Sequence, residues 1–146
     1  MEHMKNNILF ETEFWKVILA DNQEFIGRCV VDVKSKAGSL SELSSEEWKD
    51  LQENVIKKLE SAIKKAFGAE LFNWSCLMNN AFRPEIKNPK PHVHFHCMPR
   101  YRNEIVFMGE TFLDKQFGDY IKSEEERSVN QEVFDEIKKE ITKNFP

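Results

Sequence analysis

Pro91-His92-Val93-His94-Phe95-His96-Cys97-Met98-Pro99-Arg100-Tyr101 is the most informative stretch of the chain. Side chains alternate across a β-strand, so a strand over residues 92–98 puts His92, His94 and His96 on one face. Val93, Phe95 and Cys97 then point to the other face, where a core would take them. Neighbouring histidines on such a strand stand roughly 7 Å apart. Three of the four histidines in the chain are concentrated here.

Working outward, residues 79–91 form a polar loop containing Pro84, Pro89 and Pro91, which cannot continue a central strand. Residues 71–78 read as the strand before it. Residues 14–19 and 25–33 are apolar and β-branched, separated by the polar turn Asp21-Asn22-Gln23-Glu24, and predict an early antiparallel hairpin. Ser44 and Glu47 stand at capping-box spacing. Trp48, Leu51, Val55, Leu59, Ile63 and Ala66 follow at helical intervals until Gly68, so a long amphipathic helix is expected on the sheet, with Trp48 in its core stripe. Val129, Val133, Ile137 and Ile141 predict a second helix over residues 124–143. Strands, helix, strands and helix in that order indicate an α+β fold rather than repeated βαβ units.

At 146 residues the chain is expected to be one domain, with Met1-Glu2-His3 read as a remnant ahead of a native Met4 and His3 set aside. Its 40% hydrophobic and 12% aromatic content can fill one core, while 32% charged residues and a mean hydropathy of −0.57 describe a polar exterior. A net charge of −4 is poorly suited to a nucleic-acid polymer, whose binders neutralise many phosphates. It leaves room for a small phosphorylated ligand that needs only a few donors. Cys29, Cys76 and Cys97 have no close metal-type spacing, and no membrane-length apolar run is present. Reduced thiols and a cytoplasmic location are therefore expected.

Three roles are open to the histidine row. A structural role is disfavoured because protonating neighbours on one face costs Coulomb energy. A zinc site is possible for two histidines spaced two apart on a strand, but the third ligand is not convincingly placed. Nucleophilic catalysis uses all three: imidazole attacks phosphorus well, and flanking imidazoles can contact phosphate oxygens and protonate a leaving group.

The run His92-Val93-His94-Phe95-His96-Cys97-Met98 closely resembles the histidine-triad (HIT) signature, in which three histidines alternate with apolar residues. Pro99-Arg100, the early strand Gly27-Arg28-Cys29-Val30-Val31 and the Ser44 helix resemble the family as well, over roughly residues 14–101. The resemblance implies a HIT-like antiparallel sheet with one long helix packed on it, a C-terminal helix and a two-fold homodimer. It implies that His94 attacks the α-phosphate of a nucleotide to give a nucleotidyl-histidine, which water then releases as the nucleoside monophosphate. His96 would assist the leaving group, and His92 would hold His94 through its backbone carbonyl. No cofactor is implied for the histidine step, although Mg²⁺ accompanies polyphosphate substrates.

Substrate contacts are expected from Asn79 at the end of the preceding strand, and from Asp21 or Asn22 near the ribose. Many relatives carry Gly-Gln-Ser or Gly-Gln-Thr shortly before the triad, whereas this chain has Lys87-Asn88-Pro89-Lys90-Pro91. Phosphate contacts would then fall to Asn88, Lys90, Arg83 or Arg100. Arg28 and Lys36 stand where some relatives have histidine, and the zinc-binding Cys-x-x-Cys of others is missing. The expected activity is a hydrolase of dinucleoside polyphosphates, of the diadenosine tetraphosphate type. The alternatives are a nucleoside phosphoramidate hydrolase, a nucleotide-binding module with little turnover, or a metal-dependent enzyme. Neither a nucleic-acid polymer nor a membrane is an expected partner.

Overall fold

Alternating apolar residues build a five-stranded sheet with the spatial order β1-β2-β3-β5-β4, every neighbouring pair antiparallel. Its strands are β1 (Ile8–Glu11), β2 (Trp15–Leu19), β3 (Cys29–Val33), β4 (Leu71–Ser75) and β5 (His94–Arg100). The computed structural model describes residues 7–146, so the expected remnant Met1-Glu2-His3 lies outside the described residues. The expected hairpin is present as β2 and β3, with Leu19 opposite Cys29. The histidine strand starts two residues later than expected, leaving His92 just ahead of it.

One sheet face carries the core. Trp15, Val17, Leu19, Cys29, Val31 and Cys97 are fully buried there. The helical layer runs from α1 (Ser45–Asp50) through a π-helical segment (Leu51–Ile56) into α2 (Lys57–Phe67). Ser44 and Glu47 close the expected capping box: Glu47 N–H donates to Ser44 Oγ at 3.1 Å, and Ser44 N–H to Glu47 Oε1 at 2.8 Å. Gly68 ends the layer at φ 81°, a left-handed conformation that costs glycine little. Leu51, Val55, Leu59 and Ile63 form the buried stripe. Trp48 departs from the core position expected for it and is 42% exposed, its ring edge-on to Phe95. Glu47, one helical turn before Leu51, is buried instead, with one carboxylate oxygen, Oε1, held by the cap.

Asp50 ties this layer to the β1–β2 turn, accepting hydrogen bonds from Thr12 Oγ1, Phe14 N–H and Asn54 Nδ2. Burial works against its ionisation, yet these donors together hold its carboxyl below the usual range.

A hairpin of β6 (Ile105–Phe107) and β7 (Glu110–Phe112) turns through Met108 and Gly109, with φ 52° and 78°. Two successive positive φ values mark the type I′ turn that fits strand twist. The C-terminal helix α3 spans Gln131–Lys143, not the full 124–143 expected. Asn130 caps it by accepting Val133 N–H at 2.9 Å. The residues before it run instead as an irregular strap whose backbone bonds to the β2–β3 turn. Val133, Ile137 and Ile141 bury the inner face of α3 as expected, joined by Phe134, while Val129 falls before the helix.

Candidate active site

The sheet register defines the site. Across the β3–β5 pair, Val30 faces His96 and Asp32 faces His94; across β4–β5, Ser75 faces His96. Residues directly opposite share a face. The surface away from the helical layer therefore carries His94 and His96 beside Arg28, Val30 and Asp32, with Lys16 opposite Asp32 on β2. The alternation read from the sequence is the one observed. His94 and His96 pack edge to face, ring centroids 5.2 Å apart, while Val93 and Cys97 are buried on the other side.

His94 is oriented by the backbone. Its Nδ1 lies 2.8 Å from the carbonyl oxygen of His92. A carbonyl only accepts, so Nδ1 carries the proton and Nε2 keeps its lone pair toward the open face. The His92 ring is fixed in turn by Nε2, at 2.8 Å from Val33 O and 2.9 Å from Asp32 Oδ1. Both partners are acceptors, so this nitrogen donates. Asp32, which sequence reasoning passed over, thus anchors the residue whose carbonyl sets the His94 tautomer. The alternation Arg28-Cys29-Val30-Val31-Asp32 was the available signal, with polar residues at every fourth position on the histidine face.

His96 is half-buried, and its Nδ1 is buried without a hydrogen-bond partner among the described residues. Burial first, then the Arg28 guanidinium and His94, hold its pKa below the ordinary imidazole value, with Glu124 acting in the opposite sense. The folded protein therefore binds this proton less readily than the unfolded chain does. This group leaves stability undiminished above the unfolded value of about 6.5, and a penalty grows as pH falls from there to the folded pKa. Denaturant unfolding of wild type and His96→Gln between pH 8 and pH 5 should show a shallower acid-side decline in the variant. Parallel curves would contradict this.

The other expected contact residues are dispersed. Arg100 is fully buried and makes no surface for a ligand, which corrects its reading as a phosphate contact. Its five N–H groups are all used. Nε and Nη2 hold Asp114 at 2.6 and 3.1 Å, Nη1 reaches Asn73 Oδ1 and Asp119 O, and Nη2 also reaches Gln116 O. A guanidinium at a sheet end needs such partners to be buried at all, and they come from segments distant in sequence. Asn79 lies outside the strand expected to end near it: β4 stops at Ser75, and Asn79 is exposed in a short 3₁₀ turn (Asn79–Phe82).

Asp21 accepts from Asn7 Nδ2 at 3.0 Å and borders a cavity of about 260 Å³ with Ser128, Gln131 and Phe134, which includes none of the three histidines. Asn22 clamps the strap: its Nδ2 donates to Glu125 O, and its Oδ1 accepts from Glu24 and Arg127 N–H. Both turn residues thus have partners within the chain. Asn88, Arg83, Lys87 and Lys90 are exposed along the loop that leads into the triad.

The sequence matches no family model, and no curated protein matches it. Solved structures do resemble it. A histidine-triad protein from Sinorhizobium meliloti is 14% identical over 99% of this chain and 95% of its own, with TM-score 0.70. A hypothetical histidine triad nucleotide-binding protein from Sulfolobus tokodaii is 16% identical over 94% of this chain and 82% of its own, with TM-score 0.67. A Hit-like protein from Bartonella henselae, involved in cell-cycle regulation, is 17% identical over 99% and 93%, with TM-score 0.65. The strand order, the helical layer on one face and the alternating histidines on the other go together: the chain has the histidine-triad fold.

Proposed function

We propose that the chain is a nucleotide hydrolase that works at the α-phosphate through a nucleotidyl-His94 intermediate, with dinucleoside polyphosphates as substrates. The observation that carries this reading is the His94 Nδ1 bond to the His92 carbonyl, which leaves an Nε2 lone pair on an open face beside His96. The Sulfolobus tokodaii relative is described as nucleotide-binding, which fits the same ligand class.

In the proposed reaction the Nε2 lone pair forms a bond to the α-phosphorus as the bond to the leaving-group oxygen breaks. The ring then carries phosphorus on Nε2 and the proton on Nδ1. The His92 carbonyl stabilises that positive charge, and the cationic ring is a good leaving group for water in the second step. His96 faces the departing group as proton donor. No metal takes part in the histidine step, and Mg²⁺ would arrive with a polyphosphate substrate.

Burial, and then the Arg28 guanidinium and His94, lower the proton affinity of His96, and this bears on the two candidate substrate classes. A departing nucleoside polyphosphate is stable as an anion and needs little protonation, whereas an amine must be protonated to leave. A His96 that binds its proton less readily therefore suits polyphosphates better than phosphoramidates. Lys16 on the histidine face and the exposed Arg83, Lys87 and Lys90 nearby favour the more anionic substrate too.

Release of AMP from diadenosine tetraphosphate and from adenosine phosphoramidate tests this choice, with faster polyphosphate turnover expected. Binding of both without turnover would turn the assignment to a nucleotide-binding module. His96→Ala should slow the phosphoramidate about tenfold more than the polyphosphate, and equal losses would refute the proton-donor role.

The homodimer implied by the family resemblance fits the sheet, whose outer strand β4 has an unpaired edge and no proline or lysine to blunt it. Light scattering at micromolar concentration should return twice the chain mass, and a monomer would exclude this assembly.

A further inference from the structure

Three buried side-chain nitrogen or oxygen atoms among the described residues have no hydrogen-bond partner, and two of them, Arg28 Nη1 and His96 Nδ1, lie on the histidine face. Leaving a buried guanidinium N–H unpaired is costly, so its persistence calls for an explanation. Arg28 immediately precedes Cys29, which pairs with Cys97, and its side chain emerges on the face opposite the fully buried Cys29. On that face it stands diagonal to His96, within reach of a long side chain. Its side chain is only 12% exposed, and its ion-pair partner among the described residues is Glu124, whose Oε1 lies 3.7 Å from Nη1, beyond hydrogen-bond length; Glu24 also stands close enough to feel its charge.

Glu124 belongs to the strap, and the strap is fixed on either side of the Glu124 side chain. Gln116 Nε2 donates to Ser123 O, Glu125 N–H donates to Glu24 Oε2 at 2.6 Å, and Arg127 N–H donates to Asn22 Oδ1. The Glu124 side chain itself is 46% exposed, and its ion-pair partner among the described residues is Arg28. Rotation of this one side chain would uncover the guanidinium without moving the strap. Carboxylates are in excess around it: Glu24, Glu124 and Glu125 crowd closely enough that Glu24, chiefly through burial and then through its acidic neighbours, is raised above the usual carboxyl range. A carboxylate loosely placed near a buried cation can be exchanged for a phosphate oxygen, which also carries more charge.

We propose that Arg28 receives a phosphate of the substrate next to His96, and that Glu124 occupies this cation as an internal competitor when no substrate is bound. The inference rests on the nucleotide reading of the His94 face and adds a phosphate contact next to the triad, where Pro89 has no N–H to donate.

Calorimetric titration with ADP and with adenosine tests it. Arg28→Gln should weaken ADP at least about tenfold and leave adenosine unchanged, with Arg28→Lys recovering part of the loss. Glu124→Gln, at an exposed site that does not threaten folding, should tighten ADP about three- to tenfold, and this gain should vanish in the Arg28→Gln background. ADP affinity within twofold of wild type in both Arg28→Gln and Glu124→Gln would overturn the proposal while leaving the nucleotide reading intact. A gain from Glu124→Gln that persists without Arg28 would overturn the competitor role. If wild type binds neither ADP nor adenosine at millimolar concentration, the nucleotide reading itself fails along with the proposal.

Discussion

His94→Ala is expected to lower turnover by about 10⁴-fold or more while the protein keeps its fold and its affinity for nucleotide. The size follows from the role. A residue that forms the covalent bond cannot be replaced by improved positioning elsewhere, and only binding and electrostatic contributions survive its removal. Stability should hardly change, because His94 is half-buried and its ring makes one hydrogen bond among the described residues, to a neighbouring backbone carbonyl. Steady-state kinetics beside a thermal melt check both parts. A variant retaining a tenth of wild-type activity would place the nucleophile elsewhere, and a collapsed melt would make the residue structural.

Asp114→Ala should have the largest effect on stability. Asp114 and Arg100 are 1% and 0% exposed, and the carboxylate also accepts Tyr101 and Gln116 N–H at 3.2 and 3.0 Å. Removing it strands a guanidinium in the interior, a change that costs about 3–5 kcal/mol. Against a total of about 5–15 kcal/mol for a domain, that leaves little or no stable fold. Urea denaturation should show a midpoint lowered by 1 M or more, or no cooperative transition, at the m-value of about 1–3 kcal/mol/M typical of small proteins. A midpoint within about 0.3 M of wild type would mean that Arg100 finds another partner. Asp114, Gln116 and Asp119 all hold Arg100, so the same change should loosen the approach to the strap that carries Glu124.

The contrast between Arg100 and His94 explains what could be read from sequence. The triad is legible because its chemistry and its geometry are both local: alternation fixes the face, and the tautomer-setting carbonyl lies two residues away. The Ser44–Glu47 cap and Gly68 are local in the same sense. Arg100 follows the motif directly and looks like an available cation, but its fate is set by Asp114, Asn73, Gln116 and Asp119, 14 to 27 residues distant. No spacing rule connects them.

The partner of Asn22 could not be read from sequence for a related reason. A turn asparagine equally suits a ribose or a crossing backbone, and here the strap, about 103 residues downstream, takes it. That strap also explains the shortened C-terminal helix, since its backbone groups bond to the β2–β3 turn instead of to a helical turn. The Met108-Gly109 hairpin lacks the Asn-Gly or Asp-Gly that announces a type I′ turn. Strand β1 is four residues long with an irregular register, too short for its alternation to stand out.

The covalent intermediate is the centre of this account, and it can be observed directly. Protein mixed for milliseconds to seconds with diadenosine tetraphosphate, quenched and examined by intact-mass and peptide mass spectrometry, should carry one added adenylate. The adduct should map to His94, be absent from His94→Ala, and decay as AMP appears. AMP released with no adduct at any quench time, or an adduct that persists in His94→Ala, would contradict the nucleotidyl-His94 mechanism.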